Sequence, residues 1–283
     1  MVIQKTGVKE KKGQPKKAKK KALPVKKKTK AVEDISVKAL LVHKKLRGKI
    51  SITPKAKVAN KVDLSVYYTP GVGAVSSFLA KNKDKTREYT MKSNMVAVVS
   101  DGSAVLGLGN IGPEAALPVM EGKAMLFKAL GGVDAFPLVL ATQDTESIIA
   151  TVKNIAPGFG GINLEDISAP RCFEIEARLK EELNIPVMHD DQHGTALVVV
   201  AWLINALKVV KKHPHHIRIV VAGAGAAGQA IARLLLLFGV GDILMVDSKG
   251  ILSPTRSDLD RHKLEMVQLT NKENRSGTLQ DAF

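Results

Sequence analysis

Two pairs of adjacent acids could bind a divalent cation, because each pair follows a segment that has the composition of a strand. Glu165-Asp166 ends the segment GGINLED, and Asp190-Asp191 ends the segment PVMHDD. In a parallel sheet the carboxyl ends of the strands meet at one edge, which is where α/β ligand sites form. Carboxylates crowded at that edge repel one another unless a cation neutralises them, and oxygen ligands suit Mg²⁺ or Mn²⁺. For either pair taken alone, a solvated turn is the alternative interpretation.

Lys123 is a candidate general base because of the residues around it. If residues 118–130 form a helix, its neighbours one turn away are all apolar: Val119, Met120, Leu126 and Phe127. A lysine in such a stripe either extends its ammonium group to water or is buried with a lowered pKa. Only the second state would make it a general base.

Three further polar residues lie in or near these segments. Tyr68, in YYTPGVG, could donate a proton from its phenol, although a tyrosine in a turn commonly has only a packing role. His189 and His193 flank the second acidic pair, and we interpret them as polar lining because no further His or Cys lies near enough for a zinc site.

A glycine-rich turn predicts a dinucleotide site in the last third of the chain. The strand-like IRIVVAG leads into GAGAAG, which contains Gly223, Gly225 and Gly228, and a helical segment and the strand-like DILMVD follow. Such glycines permit the turn, the approach of pyrophosphate to the backbone and close packing of the helix. Asp247 ends the second strand, where a carboxylate could bond a ribose hydroxyl. A serine and a lysine follow Asp247, so we favour NAD and leave NADP open; a glycine turn without a ligand is the alternative.

Strand-like and helix-like segments alternate from about residue 51, which predicts an α/β fold with a mostly parallel sheet. The predicted domains are a disordered lysine-rich tail at 1–33, a catalytic domain at 34–194 and a partial dinucleotide-binding domain at 195–283. The predicted strands begin with MVAVVS, AVLGLG and FPLVLAT, at residues 95–100, 104–109 and 136–142.

The net charge of +16 belongs mainly to the first thirty residues, which hold thirteen Lys and one Glu. This tail has no apolar periodicity, so it predicts disorder and at most weak, non-specific contact with polyanions. A single cysteine excludes a disulfide framework. The apolar runs look too short to cross a bilayer and no signal-peptide pattern is present, so a cytoplasmic protein is expected.

The motifs taken together resemble the malic enzyme family from about residue 48 to 252. The resembling segments are YYTPGVG, VVSDGSAVLGLGNIGPEAALPVMEGKAMLFK, INLEDI, HDDQHGTA, VVAGAGAAGQAIA and MVDSKGI. GLGNIG and VSDG are more similar to the shorter bacterial branch than to the animal branch. The arginine that the family carries before LGLG is replaced here by Ala104 or Val105, so the substrate carboxylate must be bound elsewhere.

The resemblance implies a role for each matching residue. Tyr68 would be the general acid and Lys123, neutral in its apolar setting, the general base, while Asp190 would orient the lysine. The implied ligands of Mg²⁺ or Mn²⁺ are Glu165, Asp166 and Asp191. The implied reaction is the oxidative decarboxylation of malate to pyruvate and CO₂ with reduction of NAD or NADP, in a homodimer or higher homo-oligomer.

Three alternatives to this function stay open. Conversion of malate to lactate with bound NAD uses similar motifs. Because the second half of a dinucleotide-binding domain is not found in the sequence, the chain is also expected to be C-terminally incomplete, either without turnover of its own or paired with a full-length subunit. Nucleic-acid binding through the tail is the third, and the nearly neutral remainder of the chain disfavours it.

Overall fold

The computed structural model describes residues 30–283, with side chains from residue 34 onward. The chain forms two compact units, each with most of its residue contacts inside itself: Met1–Arg47 and Gly48–Phe283. The first unit is described only from Lys30, and its described part contains one helix. Most of the predicted disordered tail lies outside the described residues, and positions 30–33 belong to that helix.

Ten helices and seven strands follow one another in the described part of the chain. The helices are α1 (Lys30–Leu46), α2 (Lys61–Tyr67), α3 (Gly71–Lys81), α4 (Thr86–Tyr89), α5 (Pro113–Gly131), α6 (Thr145–Ile155), α7 (Arg171–Glu182), α8 (Asp190–Val210), α9 (Ala226–Leu237) and α10 (Arg261–Leu269). The strands are β1 (Met95–Ser100), β2 (Asp134–Val139), β3 (Gly161–Leu164), β4 (Val187–His189), β5 (Arg218–Ala222), β6 (Asp242–Asp247) and β7 (Gly250–Ile251).

The first sheet is parallel and has the strand order β2-β1-β3-β4. Its register aligns Val99 with Leu164, and Leu164 with His189. The residues that follow these partners therefore leave the sheet side by side at its carboxyl edge. This register brings the two predicted acidic pairs together.

Apolar side chains cover both faces of this sheet. Ala97 and Val99 of β1 pack in one core cluster with residues of α6 and α7, such as Ile148 and Ile175. Val98 is equally buried but lies outside that cluster, as expected for a strand whose successive side chains point to opposite faces. Burial on both faces is typical of the parallel sheet of an α/β protein, so the predicted fold class is confirmed.

The second sheet contains β5, β6 and β7. Strands β5 and β6 are parallel and joined by α9, while the two-residue strand β7 runs antiparallel to β6. Buried residues of β6 and α9, including Ile243, Met245, Ala232 and Leu235, form the core of this part. The predicted unit of strand, glycine turn, helix and strand is confirmed. Strand β7 was not predicted, because two residues are too few to show a sequence pattern.

The predicted strand at residues 104–109 is wrong. These residues form a loop closed by two backbone hydrogen bonds between Val105 and Gly109, at 3.0 and 2.8 Å. Gly107 and Gly109 have φ angles of +78° and +77°, which a strand does not accommodate. Leu106 is 94% exposed, so the alternation of apolar residues does not mark burial here.

Helix α8 is the longest helix and passes through the predicted domain boundary at 194/195. By length and composition it could cross a membrane, which the shorter apolar run in the sequence did not suggest. Its first turn carries Asp190 and Asp191, and Ala196, Val200 and Leu207 along it are buried within the protein. The helix begins at the carboxyl edge of the first sheet, and only 11% of its apolar window is buried in the single chain, with Leu197 and Trp202 mostly exposed.

Candidate functional site

Three carboxylates converge at the carboxyl edge of the first sheet. Glu165 and Asp166 directly follow β3, and Asp191 lies in the first turn of α8. One oxygen from each of the three lies within 4.8 Å of the others. The backbone N–H of Asp166 also donates to Asp191 Oδ2 at 3.0 Å. The structure therefore brings the predicted metal ligands into one cluster.

Asp166 lies in an unusual backbone conformation, with φ of +54°. Its carbonyl accepts a hydrogen bond from the Ala104 N–H at 2.9 Å, which ties the loop after β1 to the loop after β3. Non-glycine residues in this region are uncommon and concentrate at functional sites, although Asp tolerates it better than most. The strained position turns the chain sharply just after Glu165.

Crowding and burial make the cluster hold protons more tightly than isolated carboxyls do. Burial raises the pKa of Glu165 to about 7, and the charge of Asp190 adds to the shift. Burial raises the pKa of Asp166 to about 6, and the charge of Asp191 adds to it. Ionisation of Glu165 and Asp166 at neutral pH is therefore less favourable in the folded chain than in water, and a bound cation would offset this.

Lys123 reaches the same cluster from α5. Its Nζ donates to Asp190 Oδ2 at 2.7 Å and lies 3.0 Å from Glu165 Oε1. Although burial acts to lower the pKa of Lys123, the hydrogen bond to Asp190 and the charge of Glu165 outweigh it, and the pKa is raised. The carboxylates that follow β3 and begin α8 thus offset the apolar neighbours on its own helix and favour the charged lysine over the neutral one that the resemblance implies.

The cluster fits a divalent cation of the Mg²⁺ or Mn²⁺ type. All three groups are carboxylates, which are the ligands that these cations prefer. Asp166 Oδ2 is buried and has no hydrogen-bond partner among the described residues, as expected for an atom whose partner is an ion. Asn163 donates to Glu165 Oε2 at 2.8 Å and leaves Glu165 Oε1 to face Lys123.

Tyr68 is not joined to this cluster. It follows α2 and is 66% exposed, and its hydroxyl makes no hydrogen bond within residues 30–283. No residue of α2 or α3 is buried. The role of Tyr68 as proton donor therefore stays a prediction.

An ion pair that the sequence did not reveal lies at the same edge of the sheet, directly after β1. Asp101 is fully buried, and its Oδ2 lies 3.0 Å from Arg171 Nη2. The same Nη2 donates to the hydroxyls of Ser103 and Ser168, both at 3.0 Å. Asp101 and Arg171 lie far apart in the sequence, so spacing in the sequence carried no signal for their contact.

The glycine turn leads from β5 into α9 as predicted. Gly223 has φ of +125°, and a Cβ on Gly228 would lie 1.8 Å from the Gly223 carbonyl oxygen. Nothing lies within 4 Å of the position of a Cβ on Gly225. The turn and the amino terminus of α9 thus offer open backbone that fits a pyrophosphate group.

Asp247 lies across from this turn, at the end of β6. It helps to line a cleft of about 300 Å³ together with Gly223 and Ala224. Arg256 contacts both of its oxygens, at 2.8 and 3.1 Å, and Lys263 donates to Oδ2 at 2.8 Å. Although burial opposes them, these hydrogen bonds hold the pKa of Asp247 below its usual range. The predicted contact with a ribose would therefore be made by a carboxylate that already has two cationic partners.

Comparison with protein families gives two matches that together cover most of the chain. Residues 47–148 and 141–180 match the malic enzyme N-terminal domain, and residues 192–282 match the malic enzyme NAD-binding domain. The chain is 55% identical over 246 residues to the bifunctional malic/malolactic enzyme of Bacillus subtilis, covering 87% of this chain and 60% of that protein. It is 55% identical over 252 residues to the NAD-dependent malic enzyme of Geobacillus stearothermophilus, covering 89% of this chain and 52% of that protein.

Solved structures agree with these matches. The NAD-dependent malic enzyme of Thermotoga maritima superposes with a TM-score of 0.84 at 52% identity, covering 86% of this chain and 65% of that one. The malic enzyme of Entamoeba histolytica gives a TM-score of 0.84 at 40% identity, covering 89% of this chain and 54% of that one. The chain therefore spans between half and two thirds of the length of these relatives.

Proposed function

The chain belongs to the malic enzyme family, and from this premise we propose that it acts in the oxidative decarboxylation of malate. In this proposal residues 34–194 bind malate and a divalent cation, and residues 195–283 bind NAD or NADP. The observation that carries it is the meeting of Lys123 with Glu165, Asp166 and Asp191 at one sheet edge. This edge is where a parallel α/β sheet places its ligands.

Lys123 is proposed as the base that takes the proton from the C2 hydroxyl of malate. Asp190 and Glu165 both contact its Nζ, so they fix the amine in place. A cation bound by the neighbouring carboxylates would compete with Lys123 for their charge and so favour the neutral amine that a base requires.

A divalent cation on Glu165, Asp166 and Asp191 would supply Lewis-acid chemistry, polarising the carbonyl that forms at C2. The nicotinamide nucleotide, held at the turn of Gly223, Gly225 and Gly228 with Asp247 toward its ribose, would accept the hydride from C2. The C4 carboxylate then leaves as CO₂, and Tyr68 is proposed to return a proton to C3. Malate and NAD(P)⁺ thus give pyruvate, CO₂ and NAD(P)H, which balances atoms and charge.

We propose NAD as the preferred nucleotide and the cytoplasm as the compartment. Relatives named for either nucleotide are found, the NAD-dependent enzyme of Geobacillus stearothermophilus at 55% identity and the NADP-dependent malic enzyme of Halomonas elongata at 45%. A homodimer or higher homo-oligomer is also proposed. In the single chain no residue of α2 or α3, the helices on either side of Tyr68, is buried, and a second subunit could cover them.

A second candidate reaction is the conversion of malate to lactate, which the name of the Bacillus subtilis relative favours for that protein. In that reaction the hydride returns to the carbonyl product on the same protein, so no net reduction of nucleotide accumulates. The two candidates use the same cation and lysine and differ only in the fate of the hydride.

Steady-state turnover tests the proposal. The purified chain is given malate, Mn²⁺ and NAD or NADP, and absorbance at 340 nm is followed while pyruvate and lactate are assayed. Equal amounts of pyruvate and reduced nucleotide are expected, with lower rates for Asp191→Asn and Lys123→Ala. Lactate without net reduced nucleotide would favour the second candidate. Turnover that is unchanged in both variants would contradict the site assignment.

A further inference from the structure

His189 is a fully buried side chain whose ring nitrogens are both without a hydrogen-bond partner among the described residues. It is the last residue of β4, one position before the acids that begin α8. Buried polar groups in native proteins are nearly always paired, so two unpaired ring nitrogens call for an explanation. The surroundings of His189 provide one.

The imidazole of His189 lies against Asp191. Its Nε2 is 3.5 Å from Asp191 Oδ2. The same oxygen accepts the backbone N–H of Asp166 at 3.0 Å. The Asp166 N–H thus donates to Oδ2, the imidazole of His189 faces the same oxygen from just beyond hydrogen-bond distance, and no contact to Oδ1 is found within residues 30–283. A shift of about 0.5 Å would bring the His189–Asp191 pair to ordinary hydrogen-bond distance.

The other side of His189 is held by the backbone. Its N–H donates to Glu176 Oε1 at 3.0 Å, and Glu176 also accepts hydrogen bonds from Gln192 and His193. The carboxylate of Glu176, which is nearly fully buried, thereby joins the end of β4 to the first turn of α8. The position of the imidazole is therefore set by rigid elements and not by a loop.

We infer that His189 is a positioning residue for the cation site: its Nε2–H holds Asp191 Oδ2, which turns Oδ1 toward Glu165 and Asp166. This inference rests on the proposed function, since it assigns a role beside the carboxylate cluster. Carboxylates that bind metals are commonly hydrogen-bonded on the oxygen that does not face the ion, and removal of such a partner costs about 10–100-fold in metal affinity. Packing alone would not require a donor at Nε2.

Two amide substitutions separate a donor from a packing role. In His189→Gln the amide nitrogen can stand near the position of Nε2, whereas in His189→Asn it stands near the position of Nδ1 and falls short of Asp191. Mn²⁺ affinity of the full chain is measured at one pH by the loss of the free-ion electron paramagnetic resonance signal. We expect the Gln variant to bind Mn²⁺ nearly as wild type does, and the Asn variant to bind about tenfold or more weakly.

Folding and the second sheet supply the controls. Thermal unfolding and binding of reduced nucleotide should be similar in the Gln and Asn variants, and the exposed His216→Leu should leave Mn²⁺ affinity unchanged. His189→Leu adds a variant with no donor, expected to bind Mn²⁺ as weakly as the Asn variant does.

Three outcomes would overturn the inference. Equal Mn²⁺ affinity in the wild type and the Asn variant would refute the role of His189 and leave the proposed function standing. Equal weakening in the Gln and Asn variants would show that only the packing of the ring matters. A wild-type chain that does not bind Mn²⁺ would overturn both this inference and the proposed cation site.

Discussion

Replacing two glycines of the same turn by alanine should affect different properties: Gly228→Ala the stability of the fold, and Gly225→Ala the affinity for nucleotide. A Cβ on Gly228 would lie 1.8 Å from the carbonyl oxygen of Gly223, whereas real Cβ atoms essentially never come within 3.0 Å of another atom. Backbone must therefore move by at least 1.2 Å (3.0 − 1.8) to admit Gly228→Ala. A Cβ on Gly225 would meet nothing within 4 Å, and the φ of Gly225 is an ordinary −83°.

The expected magnitudes follow from this contrast. Forcing extra atoms into a packed position costs about 1–3 kcal/mol. At about 2–4 °C for each kcal/mol in a chain of this size, Gly228→Ala should lower Tm by roughly 4–8 °C for a mid-range cost. Gly225→Ala should leave Tm nearly unchanged, but its methyl group would occupy the space through which pyrophosphate approaches the backbone. Nucleotide affinity should therefore fall in Gly225→Ala without loss of stability.

Both quantities can be measured on the same samples. Thermal unfolding is followed by circular dichroism, and NADH binding is followed by the fluorescence of the nucleotide. Gly73→Ala is a matched control, because a Cβ there also meets nothing within 4 Å and the residue lies on α3, away from the turn. It should leave NADH affinity unchanged and raise Tm slightly, because alanine is favoured over glycine by about 1 kcal/mol inside an exposed helix.

Two results would contradict these expectations. If Gly228→Ala unfolds at the wild-type temperature, the close packing of α9 on the turn is not what the geometry indicates. If Gly225→Ala binds NADH as tightly as wild type, the turn does not hold the pyrophosphate.

Three further predictions concern the first sheet. Lys123→Ala should lower kcat by about 10²–10⁴-fold, the usual worth of a general base, without weakening Mn²⁺ binding, because an ammonium group that competes for the carboxylates is removed; a variant that loses Mn²⁺ but keeps turnover contradicts the assignment. The folded-state pKa values of about 7 for Glu165 and about 6 for Asp166 lie above the ordinary values, so the folded chain binds protons more tightly than the unfolded chain. The stability that these two protonated carboxyls contribute is present in acid and is lost as pH rises through about 6–7. Because Mn²⁺ binds the deprotonated carboxylates, the rise in Tm on adding Mn²⁺ should be larger at pH 8 than at pH 5. Equal rises at the two pH values would contradict this prediction. Arg171→Met should cost about 3–5 kcal/mol by removing the cationic partner of buried Asp101, and Asp101→Leu in the same chain should recover part of the loss in urea unfolding.

The position of the acidic cluster was predictable, because the burial of apolar side chains specifies how neighbouring strands align. A run of apolar residues such as Ala97, Val98 and Val99 identifies a strand that is covered on both faces. Once Leu164 and His189 align with the end of that strand, the acids that follow must share an edge. The sequence pattern therefore contained both the fold class and the meeting of the carboxylates.

The electrostatic state of Lys123 was not predictable from its helix alone. Its neighbours on α5 are apolar, yet the groups that decide its pKa, Asp190 and Glu165, come from other elements. The strand predicted at residues 104–109 was wrong for a similar reason. Alternating apolar residues resemble a strand whether or not other elements cover them, and Leu106 is exposed. Contacts between distant segments set both outcomes, and single-segment patterns do not contain them.

The cluster of Lys123, Glu165, Asp166 and Asp191 is proposed to perform metal-dependent decarboxylation. Oxaloacetate, the 2-keto acid that hydride transfer from malate would produce, tests this claim without any nucleotide. Its loss is followed in ultraviolet absorbance with Mn²⁺, with and without the chain. We predict decarboxylation faster than with Mn²⁺ alone, and loss of that acceleration in Asp191→Asn. A chain that binds Mn²⁺ but adds nothing to the rate of the free ion would contradict the claim.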